Sequence, residues 1–104
     1  MAYYVQRNII CAVIQSFRCR DTQALFEGRH PRRFRAIETA ATRKLAMLDA
    51  ANTLEFLRAP PGNRLEALRA DRAGQWSIRI NDQRRLCFEW TDSGPVQVEI
   101  VDYP

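Results

Sequence analysis

Trp76-Ser77-Ile78-Arg79-Ile80-Asn81-Asp82-Gln83-Arg84-Arg85-Leu86-Cys87-Phe88-Glu89-Trp90 is the stretch from which the fold is read. Trp76, Ile78 and Ile80 alternate with Ser77 and Arg79, and Leu86, Phe88 and Trp90 alternate with Arg85, Cys87 and Glu89, each with the period of a half-buried strand. Asn81-Asp82-Gln83 has turn chemistry, so the pair reads as an antiparallel hairpin. Ser93-Gly94-Pro95 turns the chain again into a last strand, in which Val96, Val98 and Ile100 alternate with Gln97, Glu99 and Val101. Such a sheet has an apolar face for helices and a polar face, which carries Arg79 and Arg85 toward solvent. Arg84 falls at the end of the apolar face, so its stem must snorkel or pair with an acid.

Working back toward the N-terminus, Pro60-Pro61-Gly62-Asn63 is a strong break, and Asn52 to Arg58 reads as a turn and a short helical piece. Before it, Phe34, Ile37, Ala41, Leu45 and Leu48 recur at steps of three and four, one apolar stripe on a helix that Pro31 starts. The opposite face holds Arg32, Arg35, Thr39, Thr42 and Arg43, a solvated surface or an edge for a protein partner. Asp21 and Thr22 offer N-cap chemistry to a shorter helix closed by Gly28. Residues 13–19, VIQSFRC, alternate loosely and carry β-branched and aromatic side chains, which predicts a first strand. The order of elements predicts an α+β domain, two N-terminal helices packed on a mostly antiparallel sheet of four to five strands.

The chain has 104 residues, enough for one core and too few for two. With 46% hydrophobic and 27% charged residues the composition is globular, which excludes disorder and collagen. Ile9 to Ile14 is the longest apolar run and is too short for a spanning helix or a signal-peptide core, so a cytoplasmic location away from membranes is expected. Cys11, Cys19 and Cys87 form no CxxC, and His30 is the single histidine, so reduced thiols and no metal site are expected.

The net charge of +4 implies an anionic partner. Lys44 is the single lysine; the other cations are arginines, whose planar guanidinium grips phosphate oxygens bidentately. Arg64, Arg69, Arg72, Arg79, Arg84 and Arg85 gather around the polar face. There they could hold an RNA backbone and stabilise a phosphoryl transition state, or simply pair with Glu66, Asp71, Asp82 and Glu89. No Ser-His-Asp set, Walker loop or dinucleotide glycine pattern is present. An enzyme built from this inventory would use Arg, Tyr, Glu and Asp without metal or organic cofactor. RNA cleavage suits it, because the substrate's own 2′-hydroxyl can be the nucleophile.

The run PPGNRLEALRADRAGQWSIRINDQRRLCFEW (60–90), with VEIVDY (98–103) and IQSFRCRDTQALFEG (14–28), resembles the HigB branch of the RelE/ParE toxin superfamily. The resemblance covers nearly everything from Val13 onward, and the ADRAGQ turn and SIRINDQ hairpin carry most of its specificity. It implies a small toxin of a type II toxin–antitoxin pair that cleaves mRNA in the ribosomal A site without metal. The implied partner is a HigA-like antitoxin with a helix-turn-helix domain, through which alone the toxin would meet operator DNA. Position by position, it makes Arg69 a phosphate contact and Arg85 the support of the scissile phosphate. Tyr103 would stack on or polarise the substrate, and Asp102 would orient neighbours or the 2′-hydroxyl. Arg64, Arg72 and Arg79 would contribute to RNA binding.

The chain departs from the family pattern in three places. Relatives commonly end Asp-Tyr-His, whereas Pro104 follows Asp102-Tyr103 here, which removes an imidazole proton shuttle and implies weaker catalysis. Glu66 stands where some relatives have His; it could act as general base if desolvation raised its pKa, or form a salt bridge to Arg64 or Arg85. Arg84 replaces a usual Trp. Val13 also stands where relatives begin with Met, so residues 1–12 are expected to be an extension or a mis-assigned start, with the toxin domain at 13–104. Two alternatives to the nuclease remain: a weakened toxin acting mainly as antitoxin-binding corepressor, and a ParE-like gyrase inhibitor.

Overall fold

A computed structural model describes residues 13–102. The expected extension at 1–12, Cys11, and the candidate site residue Tyr103 with Pro104 lie outside the described residues. Among the described residues three α-helices precede a four-stranded sheet: α1 (Arg20–Phe26), α2 (Glu38–Ala50), α3 (Leu54–Arg58), then β1 (Glu66–Ala67), β2 (Trp76–Arg79), β3 (Arg84–Thr91) and β4 (Gly94–Asp102). The strands lie in chain order, every neighbouring pair antiparallel, as the α+β reading requires. Among the described residues no helix is long and apolar enough to cross a membrane.

The apolar stripe builds the helical half of the core. Phe34, Ala41, Leu45 and Leu48 are buried, and Ile37 packs against them. They meet Ile78, Leu86, Phe88, Val98 and Ile100 from the sheet, where each fully buried large side chain contributes roughly 1.5–3 kcal/mol. Pro31 caps a 3₁₀ stretch, Arg32–Ile37, that runs into α2. The opposite face, Arg32, Arg35, Thr39, Thr42 and Arg43, is exposed. α1 ends at Gly28, whose φ of +95° lets Gly28 N–H reach Leu25 O and Arg29 N–H reach Ala24 O, the paired bonds of a Schellman turn.

Three local expectations are corrected. Asp21 and Thr22 do not cap α1: the N-cap is Cys19, and Thr22 is a buried first-turn residue. Its Oγ1 accepts from the Ile100 N–H of β4 at 3.1 Å, so the hydroxyl serves the sheet. Residues 13–19 make no regular strand. Phe17 forms a single parallel bridge with Val98, supported by Gln15 N–H to Pro95 O, Val98 N–H to Ser16 O and Arg18 N–H to Val98 O. A longer ladder is blocked because Pro95 has no N–H and Gln97, at φ +55°, gives its N–H to Ser16 Oγ.

The same bulge explains the third correction, the face of Val96. Pairing runs Cys87 with Glu99 and then Glu89 with Val96, so one extra residue sits in β4. Val98 and Ile100 point into the core while Val96 shares the other face with Glu89. Gly94, at φ +127°, starts β4 where the Val13 backbone crosses; a Cβ there would lie 2.2 Å from Val13 O. No residue but glycine fits that crossing.

Candidate functional site

Alternation puts Ser77 of β2 and Arg85 and Cys87 of β3 on the sheet face turned away from the core residues Ile78 and Leu86. That face is not open at Arg85. The expectation of a solvent-facing Arg85 is corrected: the residue is 5% exposed, while Arg79 is half-buried. The cover comes from residues 64–72, distant in sequence from β3, so strand periodicity gives no sign of it. Arg85 Nε donates to Ser77 Oγ at 2.8 Å, Nη2 donates to Arg64 O at 2.8 Å, and Glu66 Oε1 lies 3.6 Å from Nη2. A buried guanidinium needs such acceptors and a counter-charge.

The Arg64 carbonyl is aimed by its own backbone. Pro61–Asn63 forms a 3₁₀ turn, and Arg64 follows it in the left-handed region at φ 46°. Such a conformation costs a non-glycine residue about 1 kcal/mol or more and persists where surroundings enforce it. Here the enforcement is Asn63, fully buried: its Nδ2 donates to Leu57 O at 3.0 Å, and its Oδ1 accepts from Lys44 Nζ at 2.5 Å. The break read at 60–63 is therefore a fixed corner between α2, α3 and the site.

Beside Arg85 lies a cavity of about 160 Å³ lined by Leu68, Arg72, Ser77, Arg85, Cys87, Val101 and Asp102. Arg72 Nη1 donates to Gln75 Oε1 at 3.0 Å and to Glu99 Oε2 at 3.1 Å, and Glu99 also lies 3.7 Å from Arg18. Burial pushes the Cys87 thiol up, with Glu99 adding to that and Arg72 and Arg85 opposing it. Cys87 is thus a neutral wall residue and no nucleophile. An open groove of about 560 Å³ adjoins Glu66, Ala67, Leu68 and Arg69.

The candidate residues divide by location. Arg85, Arg72 and Asp102 line the cavity, Glu66 joins them through Arg85, and Arg64 joins through its carbonyl. The Arg64 and Arg69 side chains are exposed and make no ion pair or hydrogen bond among the described residues. Arg79 is paired with Asp82 at the hairpin turn. Glu66, with its side chain 50% exposed, forms one of the salt bridges considered for it, to Arg85. Asp102 pairs through Oδ1 with Arg84 Nε at 2.5 Å, and the Arg84 guanidinium lies 5.6 Å from the Phe34 ring centroid. Of the two outcomes open to Arg84 at the end of the apolar face, snorkelling or pairing with an acid, it takes the acid.

Ser77, Gln75 and Glu99 were not singled out from sequence. A usable signal existed for Ser77: in the hairpin register Ser77 faces Cys87 and Arg79 faces Arg85, which makes Ser77 a diagonal neighbour of Arg85 on one face. Among the described residues no group of three or more His, Cys, Asp or Glu is placed to hold a metal ion.

Comparison with known proteins agrees with this architecture. Over 57 residues the chain is 53% identical to Toxin HigB-1 of Vibrio cholerae serotype O1, a stretch covering 55% of this chain and 60% of that protein. Over 51 residues it is 39% identical to an uncharacterized protein of Haemophilus influenzae, covering 49% of this chain and 50% of the relative. The chain therefore spans about half to three fifths of the length of these relatives. The family described as the RelE-like toxin of type II toxin-antitoxin system HigB matches residues 16–103, most of the chain. The chain belongs to the HigB-like toxin family.

Proposed function

We propose that this protein is a ribosome-dependent mRNA endonuclease, the toxic half of a type II pair, acting in the cytoplasm and silenced by a HigA-like antitoxin. The observation that carries the reading is Arg85: a buried guanidinium, held by Ser77 Oγ and Arg64 O, lining a cavity on the sheet of a HigB-like chain. Fixed cationic donors in a water-poor site stabilise charge that develops during reaction, because they need no reorganisation when the charge appears. In the proposed reaction, independent of metal, the RNA 2′-oxygen attacks the adjacent phosphorus and the 5′-oxygen leaves. The products are a 2′,3′-cyclic phosphate and a 5′-hydroxyl, and Arg85 balances the extra negative charge at phosphorus.

The other roles follow from exposure and pairing. Arg64 and Arg69, both exposed, hold flanking phosphates, and Arg72, steadied by Glu99, extends the positive wall of the cavity. Arg79 adds a contact at the hairpin end. Glu66 acts as counter-charge to Arg85 and a proton acceptor within its reach. Tyr103 stacks on or polarises the substrate, and Asp102, tied to Arg84, anchors the strand that leads to it. The ribosome supplies substrate geometry, so free RNA is a poor substrate. Operator DNA is met through the antitoxin.

A second reading, a weakened toxin that serves mainly as antitoxin-binding corepressor, is favoured by Pro104 at the position of the imidazole and by the engagement of Asp102 with Arg84. Induced expression with 5′-end mapping of a reporter mRNA in a cell-free translation reaction separates the two. The nuclease reading expects growth arrest and cuts inside translated codons, both relieved by Arg85→Ala and by Tyr103→Phe in folded protein. Absence of cuts from folded wild-type protein would refute it in favour of the corepressor.

A further inference from the structure

The basic character of the chain does not reside where the cutting site is. Residues 64–104 carry six arginines against seven carboxylates, a net −1, whereas residues 29–44 carry five arginines and Lys44 against Glu38 alone, a net +5. The whole chain is +4, so the excess charge is concentrated on the helical layer, on the other side of the sheet from the Arg85 cavity.

Several of these helical-layer cations are occupied. Arg29 pairs with Glu27, Arg33 with Asp21, and Lys44 bonds Asn63, while the one acid of the segment, Glu38, lies against the His30 ring. Arg32, Arg35 and Arg43 are exposed and, among the described residues, have no ion pair or side-chain hydrogen bond. Arg32 and Arg35 are three apart in the 3₁₀ stretch, where side chains at that spacing eclipse, about 6 Å apart along the axis. Thr39, Thr42 and Arg43 are exposed on the next element, α2, opposite its buried residues Ala41, Leu45 and Leu48. The crowding of positive charge is felt nearby: beyond burial, the Arg43 and Arg79 guanidiniums push the Lys44 ammonium below its ordinary pKa. A surface that holds like charges together in this way is stabilised by a bound polyanion.

Phosphodiester backbone fits this surface better than protein does. Guanidinium forks and threonine hydroxyls are phosphate donors, and among the described residues no large apolar side chain is exposed along the stripe; the exposed ones among them, Phe26 and Phe56, lie elsewhere. A protein interface would need an apolar centre. We propose that Arg32, Arg35 and Arg43, with the Thr39 and Thr42 hydroxyls between them, form a backbone-binding surface for structured RNA, separate from the Arg85 cavity. The choice of RNA rests on the proposed nuclease function; the phosphate chemistry does not.

The test is fluorescence anisotropy with a labelled blunt RNA duplex and a DNA duplex of the same sequence, from 50 to 200 mM salt. Wild type is compared with the triple variant Arg32→Gln, Arg35→Gln, Arg43→Gln and with a double variant at two exposed arginines outside both surfaces, Arg20→Gln, Arg58→Gln, all checked by thermal unfolding. Losing three phosphate contacts should lower the slope of log K against log salt by about 2.7 in the triple variant. The double variant should keep the wild-type slope. A triple variant with the wild-type slope, or wild type that does not bind the RNA duplex at low salt, overturns the proposal. Tighter binding of DNA than RNA overturns the assignment to RNA, and a triple variant that keeps RNA binding but loses binding to poly-glutamate points to an acidic protein instead. Duplex binding is read without cleavage, so wild type that binds through this surface but cuts nothing on the ribosome would refute the nuclease reading alone.

Discussion

Replacing Ser77 by Ala probes the hydrogen bond by which β2 holds the Arg85 guanidinium of β3. Ser77 is fully buried and Arg85 5% exposed, so the Nε–H left behind has no access to water. A hydrogen bond to a charged group contributes roughly 1.5–3 kcal/mol, and the oxygen removed is too small to leave a cavity of consequence. We expect Ser77→Ala to cost about 2 kcal/mol, a fall of roughly 10 °C in Tm for a domain of this size. Urea unfolding of a double-mutant cycle with Arg85→Met isolates the bond, because in that background the serine has no guanidinium to accept from. The cycle should give a coupling near 2 kcal/mol at unchanged m-value; a coupling under about 0.5 kcal/mol would refute the claim that Ser77 holds Arg85. Displacement of Arg85 should also lower the cleavage rate, by up to about 100-fold, with substrate affinity preserved.

Thr22→Val keeps shape but leaves the buried Ile100 N–H without its 3.1 Å acceptor, and should destabilise by about 1–3 kcal/mol in urea unfolding; an unchanged midpoint would remove Thr22 as the link between α1 and β4. Gly94→Ala brings a Cβ to 2.2 Å from Val13 O at φ +127° and should cost at least about 3 kcal/mol by the same assay, from left-handed strain and overpacking together. Lys44 is held below the ordinary lysine pKa by burial, Arg43 and Arg79, so its charge opposes folding at neutral pH. Stability should therefore rise between that lowered pKa and the ordinary lysine value, where the unfolded chain binds more protons. Lys44→Gln loses the bond to Asn63 Oδ1 and should be less stable than wild type, with the deficit growing through the alkaline window because only wild type gains there; a deficit independent of pH would contradict the sign.

Periodicity carried the parts of the fold whose neighbours are local or regular. The stripe from Phe34 to Leu48 and the hairpin from Trp76 to Trp90 were legible because burial on one face imposes their spacing. Arg84 was legible as well, since an arginine at the end of an apolar face must snorkel or find an acid, and it finds Asp102. What was not legible depends on segments that meet across the chain. The Thr22 hydroxyl, a plausible helix cap by position, is taken by Ile100 seventy-eight residues away. The extra residue in β4 turned Val96 to the other face and broke the ladder with residues 13–19, and strict alternation has no means of counting a bulge. Arg85 read as solvent-facing because the residues that cover it, Arg64 to Arg72, come before the hairpin and carry no periodic signal. The site followed the same division: residue types and the polar face were visible, and the burial that makes Arg85 a fixed charge was not.

The most direct test of the central claim is single-turnover cleavage of mRNA on programmed ribosomes by wild type and Arg85→Lys, with product ends mapped and both proteins shown folded by thermal unfolding. Lysine keeps the charge but cannot reproduce the Nε bond to Ser77 and the Nη2 bond to Arg64 O together. The account predicts wild-type cuts within the A-site codon that leave 2′,3′-cyclic phosphate ends, and a rate about 10²–10³-fold lower for Arg85→Lys. Cleavage by folded Arg85→Lys at the wild-type rate, or none by folded wild type, would contradict it.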